Sequence, residues 1–77
     1  MLDELNWLLD YILRHDSRRV GATRLWVDCR KLRTFQNELR DIIDYGMDHG
    51  YMDIDLNDLQ IFVTFKGLWS WHVSHGQ

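Results

Sequence analysis

Between Lys31 and Arg40 the chain reads KLRTFQNELR, which places Arg33, Thr34, Gln36, Asn37 and Arg40 around three apolar residues. These side chains have the chemistry of nucleic-acid base readout. Arginine pairs bidentately with guanine O6 and N7, glutamine and asparagine pair with adenine N6 and N7, and threonine reaches a phosphate or a thymine methyl. The same residue types also make the ordinary solvated face of a core helix, and composition alone does not separate the two. Arg18, Arg19, Arg24, Arg30 and Lys31 come just before the stretch. Cations so placed can neutralise phosphates and gain affinity through counterion release. Alternatively, Arg18 and Arg19 pair with acids of the first helix or of a later hairpin.

The formal net charge is -3, but it is unevenly spread. Seven of the nine Lys and Arg residues lie between 14 and 33, against only Asp16 and Asp28. The segments on either side are acidic, so any polyanion would have to meet about a quarter of the chain.

Other chemistry is thinly represented. His72 and His75 are three apart, with His49 and Cys29 as conceivable further metal ligands, but no second short-spaced pair completes a zinc site. No metal and no cofactor is expected. Cys29 is the only cysteine, so no intrachain disulfide forms, and its predicted inward position suits a small core residue better than a nucleophile. With no phosphate-cradling glycine loop, no nucleophile elbow and no paired acids in an evident pocket, the chain is not expected to be an enzyme.

Positioning these groups takes folded elements. Seventy-seven residues, 45 percent hydrophobic and 13 percent aromatic, suffice for one small domain over 1–77. Leu2, Leu5, Leu8, Leu9, Ile12 and Leu13 recur at helical spacing and predict a helix over 2–15. Trp7 and Tyr11 fall on its opposite side, to be covered by another segment or by a partner. DSRRVGA is expected to be a loop. TRLWVDC then follows as a short helix with Leu25, Trp26 and Cys29 inward. Leu32, Phe35, Leu39, Ile42, Ile43 and Gly46 predict a helix over 32–49 that Gly50 stops. YMDIDL and QIFVT, joined by NDL, predict a hairpin, and FKGLWSWHVS a last short helix with Leu68 and Trp71 packing back. The acidic first residues do not resemble a signal peptide, and no apolar run approaches the roughly 18 residues of a membrane span. A lone thiol fits a reducing cytoplasm.

Mainly α with a small β-hairpin, this order resembles the winged helix-turn-helix domain of small archaeal and viral transcription regulators: a three-helix core, a two-stranded wing and a C-terminal helix. The resemblance rests on TRLWVDCRKLRTFQNELRDIIDYGMDHGYMDI, with Leu32 at the turn, and on VTFKGLWSW, where a Thr, one residue and Lys-Gly follow the closing strand. It implies that the helix at 32–49 enters the major groove of double-stranded DNA by its N-terminal half. Arg33, Thr34, Gln36, Asn37 and Arg40 would then meet bases while Arg18, Arg19, Arg24, Arg30 and Lys31 hold phosphates. Here the hairpin carries Asp53, Asp55 and Asp58 where the family's wing often carries Lys or Arg.

The expected function is therefore a small DNA-binding transcriptional regulator, cytoplasmic, or in the host cytoplasm if viral. Asp41, Asp44 and Asp48 confine deep docking to two turns of helix, so a homodimer across two half-sites is expected. Trp7, Tyr11, Trp69 and Trp71 are its candidate interface. The alternative, from another class, is a winged-helix protein-interaction module, itself a viral inhibitor or DNA mimic, that presents its acidic hairpin and aromatics to a basic protein partner.

Overall fold

A computed structural model describes residues 1–75. Helix α1 (Leu2–Leu13) leads through a 3₁₀ turn (Asp16–Arg18) into strand β1 (Arg19–Gly21) and helix α2 (Ala22–Leu32). Helix α3 (Leu39–Asp48), strands β2 (Met52–Asp55) and β3 (Gln60–Val63) and helix α4 (Phe65–His75) follow. The molecule is mainly helical with a small antiparallel sheet of order β1-β3-β2. Among the described residues no helix is long and apolar enough to cross a membrane.

The stripe Leu5, Leu8, Leu9 and Ile12 puts α1 at the centre of the core, each of the four fully buried. Leu25 and Cys29 of α2, Leu39, Ile42 and Ile43 of α3, and Val20, Met52, Ile61 and Val63 of the sheet close around it. Leu68 and Trp71 of α4 pack back onto this cluster as their spacing predicts.

Three expectations need correcting. The segment expected to be a loop contributes β1, whose Val20 pairs with Ile61, so the sheet has three strands and not two. The helix expected over 32–49 is broken: α2 runs on to Leu32, residues 33–38 are irregular, and α3 starts at Leu39. Leu32, expected in the core, is 64 percent exposed. The break follows from two contacts. Phe35 turns in to meet Trp7 edge-on at 5.5 Å, and the carboxylate of Glu4 accepts the backbone N–H groups of Gln36 at 2.8 Å and Asn37 at 3.2 Å. A continuous helix would need those N–H groups for its own ladder.

The ends of α3 and α4 are fixed by local chemistry. Gly50 adopts φ +74 and its N–H reaches Met47 O, while the Tyr51 N–H reaches Gly46 O, a Schellman ending that only a residue tolerant of the left-handed region closes cheaply. Thr64 caps α4: its Oγ1 accepts the Gly67 N–H at 3.0 Å and donates to Gly50 O. Gly67 has no room for a side chain, since a Cβ there would stand 1.8 Å from the carbonyl oxygen of Tyr51.

Candidate nucleic-acid interface

The irregular segment 33–38 carries Arg33, Thr34, Gln36 and Asn37, and Arg40 follows in the first turn of α3. Four of the five residues expected on a recognition helix thus lie on the connection between α2 and α3. Glu4, only 5 percent exposed, anchors that connection: besides the two backbone bonds it accepts the Asn37 side-chain amide, with the N-terminal ammonium 3.8 Å away. The Asn37 amide first, and then the backbone N–H groups of Asn37 and Gln36, hold its carboxyl below the usual range. Asn37 is therefore engaged inside the chain through its side-chain amide. Thr34, Gln36 and Arg40 stay exposed.

Arg33 is half-buried, its guanidinium 5.8 Å from the Trp7 ring and 5.3 Å from the Phe35 ring. Cation–π contacts of this kind fix the stem while leaving donors outward. Arg30 leans on Trp26 at 5.8 Å, and Arg30, Arg33, Thr34 and Gln36 share a hollow of about 260 Å³ with the exposed carboxylate of Glu38. Lys31 is exposed beside it on the last turn of α2. None of Arg18, Arg30, Lys31, Arg33 and Arg40 has a carboxylate within ion-pair distance among the described residues.

The remaining phosphate candidates are dispersed. Arg19 faces the sheet, donating to Gln60 at 3.1 Å, 3.6 Å from Asp55 and above Phe62. Arg24 is 3.3 Å from Asp28, one helical turn away. Both are engaged within the chain, as the pairing alternative anticipates for Arg19. Arg18 sits apart, over Phe65 at the start of α4.

Trp7 and Tyr11, candidates for a partner surface, are instead covered by this chain. They stack at 5.9 Å, Phe35 closes over Trp7, and the Tyr11 hydroxyl donates to Asp28 at 2.9 Å. Burial and that hydrogen bond push the Tyr11 phenol far up, and the same bond lowers the Asp28 carboxyl. Trp71 is half-buried against the core and stacks on His75 at 4.7 Å, so Trp69 alone of the four stands fully outward. Cys29 is enclosed, its thiol pushed up to about 12 by burial. Among the described residues no three His, Cys, Asp or Glu side chains converge as a metal site would need.

The outward face of α3 beyond Arg40 carries Asp41, Asp44 and Asp48, and the hairpin exposes Asp53 and Asp58. The molecule therefore presents a cationic corner at the α2–α3 connection and an acidic surface along α3 and the hairpin. Glu4, which organises the corner, was visible in the sequence as a carboxylate in line with Leu8 and Ile12 on the apolar side of α1. Comparison with protein-family models, with curated proteins and with solved structures finds no match.

Proposed function

We propose that the chain is a winged-helix DNA-binding domain that grips the phosphate backbone through the α2–α3 corner and does not lay α3 along the major groove. The element order, with β1 joining the hairpin in the order β1-β3-β2, supports the winged-helix reading. The observation that carries the DNA reading is the group Arg30, Lys31, Arg33 and Arg40 on and beside the α2–α3 connection, none ion-paired among the described residues, with Arg30 and Arg33 sharing a hollow with exposed Thr34 and Gln36. Phosphate contacts supply affinity and register, whereas base contacts supply sequence choice. With Asn37 committed to Glu4, the base-edge candidates reduce to Arg33, Thr34, Gln36 and Arg40, a small set that favours weak discrimination between sequences. A regulatory role would follow from occupying a promoter. Titration of a labelled duplex at low salt tests the reading: the wild type binds, and the triple variant Arg30→Ala, Lys31→Ala, Arg40→Ala binds far more weakly. Equal binding by both proteins rejects it.

A second reading is favoured by the acidic surface. Asp41, Asp44, Asp48, Asp53 and Asp58 have no cationic partner among the described residues, and Leu56 and Leu59 stand 76 and 59 percent exposed at the hairpin tip. Apolar anchors within a field of one sign suit a basic protein surface. Under this reading an oligolysine peptide binds the wild type and loses affinity with Asp44→Asn, Asp48→Asn; no binding of the peptide at low salt rejects it.

A further inference from the structure

The apolar residues exposed elsewhere lie on the hairpin, on α2 or at the N-terminus, but α4 carries three along one side. Phe65, Trp69 and Val73, four apart, are 84, 68 and 49 percent exposed. Leu68 and His72 flank them, and with Phe65 and Trp69 they border a shallow hollow of about 370 Å³. The apolar surface continues past Phe65 to Phe62 and Val63 of β3. Lys66, the one Lys or Arg of α4, is turned off this face toward the Tyr51 ring at 5.7 Å, and α4 has no carboxylate.

We propose that this face pairs with the same face of a second copy of the chain about a two-fold axis at Trp69. The spacing is symmetric about Trp69. An antiparallel pairing therefore sets Trp69 against its own counterpart and Phe65 of each copy over Val73 of the other, large against small. Self-complementarity of this kind is what an isologous interface requires. Arg18 lies over the Phe65 ring at one end of the face, but α4 has no carboxylate and its Lys66 points away. Trp69 and Val73 therefore carry no charge of their own helix with which to select a charged partner, and no other helix of the described chain offers a matching apolar stripe. An aromatic side chain carries roughly 150–250 Å², so Phe65 and Trp69 alone expose about 300 Å². With Val73 and the flanking residues, a pair of copies would bury on the order of 1,000 Å², near the lower bound for a specific interface. The dimer is accordingly weak and reversible.

This pairing does not depend on DNA binding, and sedimentation without nucleic acid tests it separately. Between about 1 µM and about 1 mM the wild type should pass from 9.4 kDa toward twice that mass. Trp69→Glu should remain monomeric where the wild type is dimeric, with an unchanged far-ultraviolet circular dichroism spectrum, and Lys66→Ala should still dimerise. Val73→Glu, nearer the helix end, gives the same loss should Trp69→Glu fail to fold. A wild type that stays monomeric throughout, as a face kept for a different partner would, overturns the proposal. So does a dimer that survives either glutamate.

Discussion

Replacing Gly67 with alanine should destabilise the protein, although a solvent-facing helical glycine would be expected to gain from the same change. Alanine in a helix is favoured over glycine by about 1 kcal/mol. Here the new Cβ would lie 1.8 Å from the Tyr51 oxygen, 2.7 Å from its carbonyl carbon and 2.9 Å from Val63 Cγ1, where ordinary contact begins near 3.4 Å. Backbone cannot rotate away as a side chain can, so the start of α4 must lift off Tyr51 and Val63. That displacement strains packing at a cost of about 1–3 kcal/mol. It also pulls Thr64 from Gly50 O and Gly67 N–H, forfeiting a cap worth about 1 kcal/mol. Set against the helical gain, the net effect is a loss of about 1–3 kcal/mol, or about 5–20 °C in Tm for a domain of this size. Thermal and urea unfolding followed by circular dichroism measure it. Gly21→Ala is the control, because nothing lies within 4 Å of the Cβ it would add, and it should stay within about 1 kcal/mol of wild type. A Gly67→Ala protein as stable as the wild type would refute the close approach of α4 to Tyr51.

Stability should also depend on pH through Glu4. Its folded carboxyl lies below the ordinary value of 4.5, so the contribution is present above that value and is lost as pH falls through the folded pKa. Urea midpoints measured from neutral to acid pH should fall, and Glu4→Gln should lower the neutral midpoint and flatten part of the fall; an unchanged profile would contradict the anchor. Asp28, lowered in the same sense, accounts for part of the remaining slope. Ile42→Ala, at a fully buried site, should cost about 2–5 kcal/mol in urea unfolding, and a loss under 1 kcal/mol would speak against its place in the core. Cys29 should resist a thiol reagent in the native protein and react fully in denaturant, because it is enclosed and its pKa is raised to about 12. Fast native labelling would contradict that burial.

The long-period features of the fold were legible in the sequence. The Leu5, Leu8, Leu9, Ile12 stripe gave α1, alternation in YMDIDL gave β2, and Gly50 marked the end of α3. The break between α2 and α3 was not legible, because Phe35 enters the core from an irregular segment at a spacing that continues the helical series from Leu32 to Leu39. A periodicity test registers which residues face inward, not whether the backbone between them is helical. Strand β1 escaped because three residues with one inward side chain, Val20, make no pattern. The residue types at the cationic corner were legible, but their availability was not. Whether Arg19, Arg24 and Asn37 are free depends on Gln60, Asp28 and Glu4, which are distant in sequence or indistinguishable there from solvent-facing polar residues. The Thr-x-Lys-Gly stretch has a structural explanation, since Thr64 caps α4 and Gly67 admits the Tyr51 carbonyl.

The DNA reading turns on how many phosphates the corner neutralises, and the salt dependence of duplex binding counts them. With Arg30, Lys31, Arg33 and Arg40 each releasing a counterion, the logarithm of the binding constant should fall against log salt with a slope of about -3.6. Affinity should then drop about 100-fold between 50 and 200 mM salt. The triple variant at Arg30, Lys31 and Arg40, which leaves Arg33 against Trp7 and Phe35, should reduce the slope to about -1. No measurable binding at 50 mM salt, or a slope the triple variant leaves unchanged, would contradict the account.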